Sequence, residues 1–365
     1  MAEDTLAEVR VAIDRIDKAI LQLLRERAQC AERVAEIKLA SDADAVFYRP
    51  EREAQILARI ARDNPGPLPD RSVQAIYKEI ISSCLALEQV LQVACLGPAG
   101  GFTDIAARRH FGHGPELQPL ASIEDVFRQV ESGRARYGVV PLEDSRDGGS
   151  SHVVDFLCDS PLYLCGEIVQ PLQHSLIGAD QPLDAVQKVV GHPQSLAACR
   201  RFLDTHLPQA EREQTVSTGL AVQCAQQQPD CAAVAPEAAA KGAAKGAAMA
   251  TLARDIDDQA PEAARYLVLG DREIEPSGHD VTSVILSFDN RPGALHRVLT
   301  PLAESGLDMI NISSRRVASS AWRDVFFLDI GGHAQEPAVA AVLDELRRNV
   351  LNFRVAGAYP KAMHP

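Results

Sequence analysis

Three cationic side chains near the start of the sequence are spaced so that they could bind a small anion. Arg10, Arg27 and Lys38 lie in a stretch, residues 6–38, that contains neither Gly nor Pro. Arg27 and Lys38 are eleven residues apart, which is almost three turns of an α-helix, so they share one face. Arg10 falls about 100° away from that face. Because buried cations need anions to offset their desolvation, the arrangement favours a pocket for a small dianion.

Further candidate groups follow on two later segments. Arg52 and Glu53 come shortly after Pro50, and a proline is typical of the first turn of a helix. Cys84 and Glu88 lie four residues apart and therefore on the same side of a helix. The alternative interpretation is that these charges are solvated surface groups, as is usual for a single Arg. The ordered set favours the pocket.

Helices must position these groups. Apolar residues recur at intervals of three and four over residues 6–38, which predicts one long amphipathic helix. Further helices are predicted from residue 50 to about residue 63 and over residues 71–92. A helix as long as the first needs partners for its apolar stripe. We expect the same helix of a second chain to be one of them.

The pattern changes after residue 92, where short apolar segments alternate with helical ones. Strands are predicted over residues 93–98, 137–141, 163–169, 186–190, 232–235 and 266–269. This alternation indicates an α/β domain with a mainly parallel sheet. The stretch 232–253 is rich in alanine and contains two glycines, which predicts a weak or irregular helix.

The last part of the chain has a different order of elements. Residues 280–357 predict strand, helix, strand, strand, helix and strand, the order of a ferredoxin-like βαββαβ sandwich. The sequence therefore predicts a multi-domain protein that is α, then α/β, then α+β. We expect an all-helical domain over residues 1–91, an α/β domain over residues 93–272 and an α+β domain over residues 280–359.

Composition argues against several classes of function. The 365 residues are 46% hydrophobic and 24% charged, as in soluble globular proteins. A net charge of −13 argues against general nucleic-acid binding, and no apolar run approaches the roughly 18 residues of a membrane span. Eight cysteines without a CxxC pair and an acidic start lead us to expect reduced thiols and a cytoplasmic location. No metal-ligand spacing is present in the sequence, so we expect neither a metal nor a cofactor.

The helical part of the chain resembles the all-helical chorismate mutases. The resemblance is carried by the segments 6–10 (LAEVR), 23–27 (LLRER), 37–38 (IK) and 48–53 (YRPERE). It implies the rearrangement of chorismate to prephenate, without a cofactor, in an intertwined homodimer or dimer of dimers. By this resemblance Arg27 and Arg52 bind carboxylates and Lys38 donates to the ether oxygen. Glu53 binds the ring hydroxyl, and Arg10 reaches into the site of the partner chain.

Two positions depart from that pattern. Arg49 stands where many relatives have Asp, and Glu88 stands where many have Gln beside the ether oxygen. A carboxylate there would repel the negative charge that grows on this oxygen, so Glu88 must be protonated to help. We expect burial and nearby Glu53 to raise the pKa of Glu88. Cys84 completes the predicted catalytic set.

Residues 93–270 resemble prephenate dehydratases, and residues 280–357 resemble ACT regulatory domains. The matching dehydratase segments are 96–98 (LGP), 139–145 (VVPLEDS), 174–176 (HSL), 192–196 (HPQSL), 217–218 (ST) and 265–266 (RY). The whole chain therefore resembles the bifunctional chorismate mutase–prephenate dehydratases of phenylalanine biosynthesis. The resemblance implies a two-lobed α/β domain, like the periplasmic binding proteins, that closes over prephenate and converts it to phenylpyruvate.

This resemblance also implies a set of cleft residues. The candidates for substrate binding are Thr103, Glu143, Asp144, Ser145, Gln194, Ser217, Thr218 and Arg265. Arg265 is expected to bind a substrate carboxylate, because a guanidinium matches that geometry. His174 and His192 are interpreted as structural residues at strand ends.

One departure affects the expected dehydratase chemistry directly. Ala264 stands where the family has a catalytic Thr that helps the ring hydroxyl leave. A methyl group cannot donate a proton, and losing such a donor commonly costs about 100- to 10,000-fold in rate. Three interpretations remain open: a dehydratase with a rebuilt or slow site, a mutase fused to a catalytically dead prephenate-binding module, and a non-aromatising prephenate decarboxylase. Thr103, Ser145, Ser217 and Thr218 are the neighbouring hydroxyls that could substitute.

The C-terminal resemblance concerns an effector site. Residues 289–295 (DNRPGAL) resemble the segment of ACT domains that opens a helix, and backbone N–H groups there suit the carboxylate of an amino acid. Gly293, Ala294, Leu295 and Ser313 are the predicted effector residues, with L-phenylalanine as the effector. However, residues 313–316 read SSRR where the family has ESRP. The alternative is a purely structural dimerisation domain.

Overall fold

The computed structural model describes residues 5–41, 45–97, 99–142, 153–242, 249–260, 263–289, 291–317, 322 and 324–362. The chain forms two compact units. The helical unit comprises Met1–Leu91 and Phe111–Glu116, and the second unit comprises Gln92–His110 and Leu117–Pro365. No helix among the described residues is both long and apolar enough to cross a membrane.

The helical unit contains the three predicted helices. They are α1 (Leu6–Ser41), α2 (Pro50–Asp63) and α3 (Asp70–Glu88). Helix α3 ends four residues before the predicted end, because Gln89 is extended with φ −159° and the apolar residues that follow enter a strand. In α1 only Ala31 and Ala35 are buried. Its apolar stripe is largely open to solvent within one chain.

The second unit begins with an alternation of strands and helices, as predicted. In chain order these are β1 (Gln92–Leu96), α4 (Phe102–Phe111), β2 (Glu116–Leu120), α5 (Ile123–Glu131), β3 (Tyr137–Pro141), α6 (Val153–Asp159), β4 (Tyr163–Pro171), β5 (Ser175–Gly178), β6 (Lys188–Gly191), α7 (Pro193–Ala198), α8 (Arg200–His206), β7 (Glu211–Gln214), α9 (Thr218–Gln227), β8 (Cys231–Ala235), α10 (Ala238–Gly242), β9 (Ala250–Ala253) and β10 (Ala263–Gly270). The strands form two sheets, with orders β2-β1-β3-β10-β4 and β7-β6-β8-β5-β9.

The predicted α/β arrangement is confirmed, with one correction: the strands form two sheets, and each sheet contains one reversed strand. Strand β10 runs antiparallel to both β3 and β4, and β5 runs antiparallel to both β8 and β9. The chain leaves the first sheet after β4, enters the second sheet as β5, and returns as β10. A strand that enters from the other sheet is therefore antiparallel to the strands that the βα units form. Two sheets with two such crossings make the two-lobed domain that the resemblance implied.

The prediction for the alanine-rich stretch, residues 232–253, also needs a correction. Strand β8 confirms the strand predicted over residues 232–235, but the short α10 and β9 replace the expected irregular helix. Residues 243–248 lie outside the described residues. Ala232 to Ala235 are fully buried in the middle of the second sheet. Burial between layers overrides the helix preference of alanine, which is a weak local effect.

The C-terminal elements confirm the predicted ferredoxin-like fold. They are β11 (Asp280–Ser287), α11 (Ala294–Ser305), β12 (Met309–Arg316), β13 (Asp324–Gly331), α12 (Pro337–Asn349) and β14 (Asn352–Pro360). The strands pair antiparallel in the order β12-β13-β11-β14. Apolar residues of both helices and of the sheet share one core, which includes Val298, Leu328 and Leu346.

Candidate active sites

The helical unit brings together three of the residues predicted for the mutase. On α1, Arg27 Nη1 donates to the backbone oxygen of Ile80 at 3.3 Å, and Lys38 Nζ donates to that of Val46 at 2.9 Å. Glu88, at the end of α3, lies within electrostatic range of both cations. Burial raises the pKa of Glu88, and Lys38 and Arg27 oppose that rise. The site therefore holds two cations and a carboxyl group whose pKa is raised by burial.

Glu53 lies in a different environment from the one expected. Its carboxylate on α2 is mostly buried, and Lys78 Nζ on α3 lies 3.7 Å away. Burial raises the pKa of Glu53, with Lys78 acting against it. The expected effect of Glu53 on the pKa of Glu88 is not among the causes of the Glu88 shift, which are burial and two cations. Sequence reasoning missed Lys78, which no motif marks.

The other predicted mutase residues are spread along the unit. Cys84 is buried on α3, whereas Arg10 and Arg52 are exposed. Arg49 forms an ion pair with Glu51 at 2.6 Å. Arg10 precedes Arg27 by seventeen residues on one uninterrupted helix, which is about 25 Å of rise. One chain therefore does not bring Arg10 to the Arg27 pocket.

The second candidate site is a cleft lined by residues that follow strands of both five-stranded sheets. Four of the predicted residues line this cleft: Thr103, Gln194, Ser217 and Thr218. Ser217 caps α9, because its hydroxyl accepts from the backbone N–H of Leu220 at 3.2 Å. Gln194 lies in the first turn of α7, directly after β6. Glu143, Asp144 and Ser145 lie outside the described residues.

A hydrogen-bonded chain of two buried side chains and one partly buried side chain forms one wall of the cleft. His174 Nδ1 lies 2.6 Å from Asp257 Oδ1, and His174 Nε2 lies 3.0 Å from Ser195 Oγ. Asp257 Oδ2 also accepts from the backbone N–H of His174 at 2.7 Å. The rings of Phe102 and His174 pack edge to face, with centroids 5.3 Å apart. His174, expected to be structural, is thus held in one orientation at the cleft wall.

The same wall contains atoms that could hold a cation. Ligand atoms of His174, Cys199 and Asp257 lie within 4.8 Å of one another. The direct contact between His174 and Asp257 already satisfies the ring nitrogen and the carboxylate. A metal would have to break this hydrogen bond, so the geometry favours proton transfer over ligation.

Strand β10 shows that the predicted role of Arg265 is wrong. Ala264 and Tyr266 line the cleft, and successive side chains on a strand point to opposite faces. Arg265 Nε therefore donates to Glu167 on β4 at 2.8 Å, away from the cleft lining. Its guanidinium also forms an ion pair with Asp329 on β13 and donates to Tyr359 Oη at 3.1 Å. Arg265 links the dehydratase-like sheet to the C-terminal sheet.

The predicted effector residues lie on two elements of the C-terminal domain. Gly293 precedes α11 with φ +76°, a conformation that glycine adopts without strain. Ala294 is buried and Leu295 is exposed at the start of that helix. Ser313 is half-buried on β12, an edge strand of the sheet.

The fold and both sites define a class of protein: a helical mutase-type unit joined to a two-lobed α/β cleft and a βαββαβ regulatory-type domain. Comparison with known proteins gives the same order. Residues 9–89 match the family Chorismate mutase type II, residues 93–274 match Prephenate dehydratase, and residues 282–348 match ACT domain. A bifunctional chorismate mutase/prephenate dehydratase from Stutzerimonas stutzeri is 41% identical over 366 residues, covering 99% of each chain. The chain belongs to the bifunctional chorismate mutase/prephenate dehydratase family.

Solved structures resemble the second unit. The prephenate dehydratase of Arthrobacter aurescens in complex with L-Phe is 26% identical with TM-score 0.67, covering 74% of this chain and 90% of its own. GqqA, described as a novel type of quorum quenching acylase, is 25% identical with TM-score 0.66, and the match covers 74% of this chain and 97% of GqqA. Together these findings confirm the predicted function in phenylalanine biosynthesis, from chorismate through prephenate to phenylpyruvate. They give no better support to a dead dehydratase module or a non-aromatising decarboxylase.

Proposed function

We propose that the mutase reaction takes place in pockets shared between two chains. The observation that carries this proposal is that Glu88 lies within electrostatic range of both Arg27 and Lys38, and that burial raises the pKa of Glu88. Arg27 binds a substrate carboxylate, and Lys38 and neutral Glu88 donate to the ether oxygen as negative charge grows there. Arg52 and Glu53 bind the second carboxylate and the ring hydroxyl.

The second chain completes the pocket and covers the apolar stripe of α1. Val9, Ile13, Ile16 and Ile20 are each 42% to 51% exposed in one chain, an open apolar stripe that favours a protein partner. Pairing α1 with a second α1 buries this stripe and carries Arg10 into the partner's pocket, giving a homodimer or a dimer of dimers.

Mixing two inactive variants tests this sharing. The variants Arg10→Ala and Lys38→Ala carry different tags. Each variant expressed alone is expected to lack mutase activity, and the two are then co-expressed to form mixed dimers. In a mixed dimer one pocket has both residues intact, so random pairing restores about a quarter of the wild-type rate. No recovery in purified mixed dimers would mean that Arg10 does not act across chains, and a monomeric wild type would refute the dimer.

We further propose that prephenate binds in the cleft beside Thr103, Gln194, Ser217 and Thr218. The support is that these polar groups converge on one cavity reached from both lobes. Gln194→Ala is expected to reduce prephenate turnover and leave chorismate rearrangement unchanged, while Lys38→Ala is expected to do the reverse. If both variants impair both reactions equally, the two sites are not separate.

L-phenylalanine is the proposed effector, and the cytoplasm is the proposed location. The Arthrobacter aurescens relative is a complex with L-Phe, and residues 282–348 match the ACT domain. We propose Gly293, Ala294, Leu295 and Ser313 as its contacts. Calorimetry with L-phenylalanine tests this, with L-alanine as the control ligand. No heat at millimolar ligand would favour the alternative of a structural dimerisation domain.

A second candidate function for the cleft is acyl hydrolysis. The order Asp257, His174 and Ser195 is that of an acid–base–nucleophile arrangement, and GqqA is described as an acylase. In this reaction Ser195 Oγ would attack an acyl carbonyl while His174 accepts its proton. Hydrolysis of N-acyl amides by the wild type, absent in Ser195→Ala, is the required result. Equal rates for the two proteins would exclude this function.

A further inference from the structure

We propose that Ser195, which receives a proton from His174 held in place by Asp257, is the acid that protonates the departing hydroxyl of prephenate. This proposal rests on the dehydratase function of the cleft. It answers the question that Ala264 raises, because a buried methyl group stands where the family has its proton donor. Ser195 and Ala264 line the same cleft.

The geometry of the three residues suits a relay rather than a single donor. Ser195 and His174 are 4% and 5% exposed, so bulk water does not compete for their hydrogen bond. Asp257 holds both the ring and the backbone N–H of His174, which fixes the ring with Nε2 toward Ser195.

The reaction balances with this relay. The electron pair of the bond between the ring and the carboxylate moves into the ring as CO2 leaves, and the ring expels its hydroxyl. Ser195 O–H gives a proton to that hydroxyl, which departs as water, while His174 Nε2–H returns a proton to Ser195. His174 is left neutral, with its Nδ1–H still donating to Asp257, and one proton from solvent then restores the Nε2–H. Ser195 is the catalytic residue here, and His174 and Asp257 are positioning residues that act through it.

A second observation concerns position 264 itself. Gln170 on β4 is the cross-strand partner of Ala264 on β10, and such partners point to the same face. The side chain of Gln170 is buried, and its Oε1 has no hydrogen-bond partner among the described residues. A hydroxyl introduced at position 264 would have an acceptor beside it. Threonine at this position is therefore expected to be accommodated, which allows a rescue experiment.

The test compares Ser195→Ala, His174→Asn and Asp257→Asn, each with and without Ala264→Thr, in the full-length protein. The measurements are kcat and KM for phenylpyruvate formation from prephenate. Ser132→Ala, an exposed serine outside the cleft, is the matched control. Chorismate rearrangement by the same preparations reports an intact helical unit, and thermal unfolding reports the fold of the second.

Ser195→Ala is expected to lower kcat about 100- to 10,000-fold with KM nearly unchanged, because a general acid contributes that much. Adding Ala264→Thr is expected to raise kcat at least about tenfold in each of the three variants. A merely structural role of His174 or Asp257 does not predict this recovery. A kcat for Ser195→Ala within threefold of wild type, or a loss that Ala264→Thr does not relieve, would overturn the proton route. If the wild type itself forms no phenylpyruvate, the dehydratase assignment fails and the proposal fails with it.

Discussion

Replacing Arg265 with Met is expected to destabilise the second unit strongly. The guanidinium is 17% exposed and pairs with Glu167, which is 9% exposed, and with Asp329, which is fully buried. Ser283 and Asn311 also donate to Asp329, so this carboxylate is held in place when the cation is lost. The substitution therefore leaves a buried negative charge without its counter-ion.

The magnitude follows from that unpaired charge. Removing one partner of a buried ion pair costs about 3–5 kcal/mol. Glu167 is closer to solvent than Asp329, so most of the cost comes from Asp329, and we expect about 4 kcal/mol. That is roughly a thousandfold change in the unfolding equilibrium, since about 1.4 kcal/mol is tenfold. Adding Asp329→Asn to Arg265→Met is expected to recover part of the loss, because it removes the charge left behind.

The assay uses the single tryptophan of the chain. Trp322 is buried in a core that also contains Leu164 from the dehydratase-like sheet and Phe327 from the C-terminal sheet. Its fluorescence during urea unfolding therefore reports the region that Arg265 links. Arg316→Met is the control, because the ion pair of Arg316 with Asp324 is 86% and 46% exposed. Such a pair contributes at most about 1 kcal/mol, so equal midpoint shifts for the two variants would refute this reasoning.

Three further predictions concern other parts of the chain. Because burial raises the pKa of Glu88 above its usual 4.5, the helpful neutral form persists to higher pH, and the mutase rate falls as the pH rises through the raised value. Glu88→Gln should flatten this profile, and identical profiles would contradict the role. Burial raises the pKa of Cys95 to about 12, so alkylation followed by mass spectrometry should modify Cys95 only after unfolding, and rapid native labelling would contradict that. A Cβ at Gly357 would lie 2.2 Å from the backbone oxygen of Leu164, so Gly357→Ala should cost about 1–3 kcal/mol in urea unfolding, and an unchanged midpoint would show that the strands shift freely.

Local patterns in the sequence were sufficient to predict the helices of the helical unit. The spacing of apolar residues over α1 and the proline that opens α2 are local signals, and both helices lie where they were predicted. The strand order was not accessible in this way. The reversal of β5 and β10 depends on how the chain passes between two sheets, and no residue in either strand marks its direction.

The candidate sites show the same division between local and long-range information. Ala264 was recognised by its place in a motif, and the alternation of a strand could have shown that its neighbour Arg265 faces away from the cleft. Asp257 could not be found from spacing, because it meets His174 across 83 residues of sequence. Only the folded second sheet brings the two together. The buried carboxylate of Asp329, 64 residues from Arg265, was missed for the same reason.

The most direct test of the account supplies the purified full-length chain with chorismate alone and identifies the products over time. The account predicts that prephenate appears first and is then converted to phenylpyruvate and CO2, although Ala264 stands at the position of the usual proton donor. Accumulation of prephenate without phenylpyruvate, or formation of a non-aromatic keto acid, would contradict it.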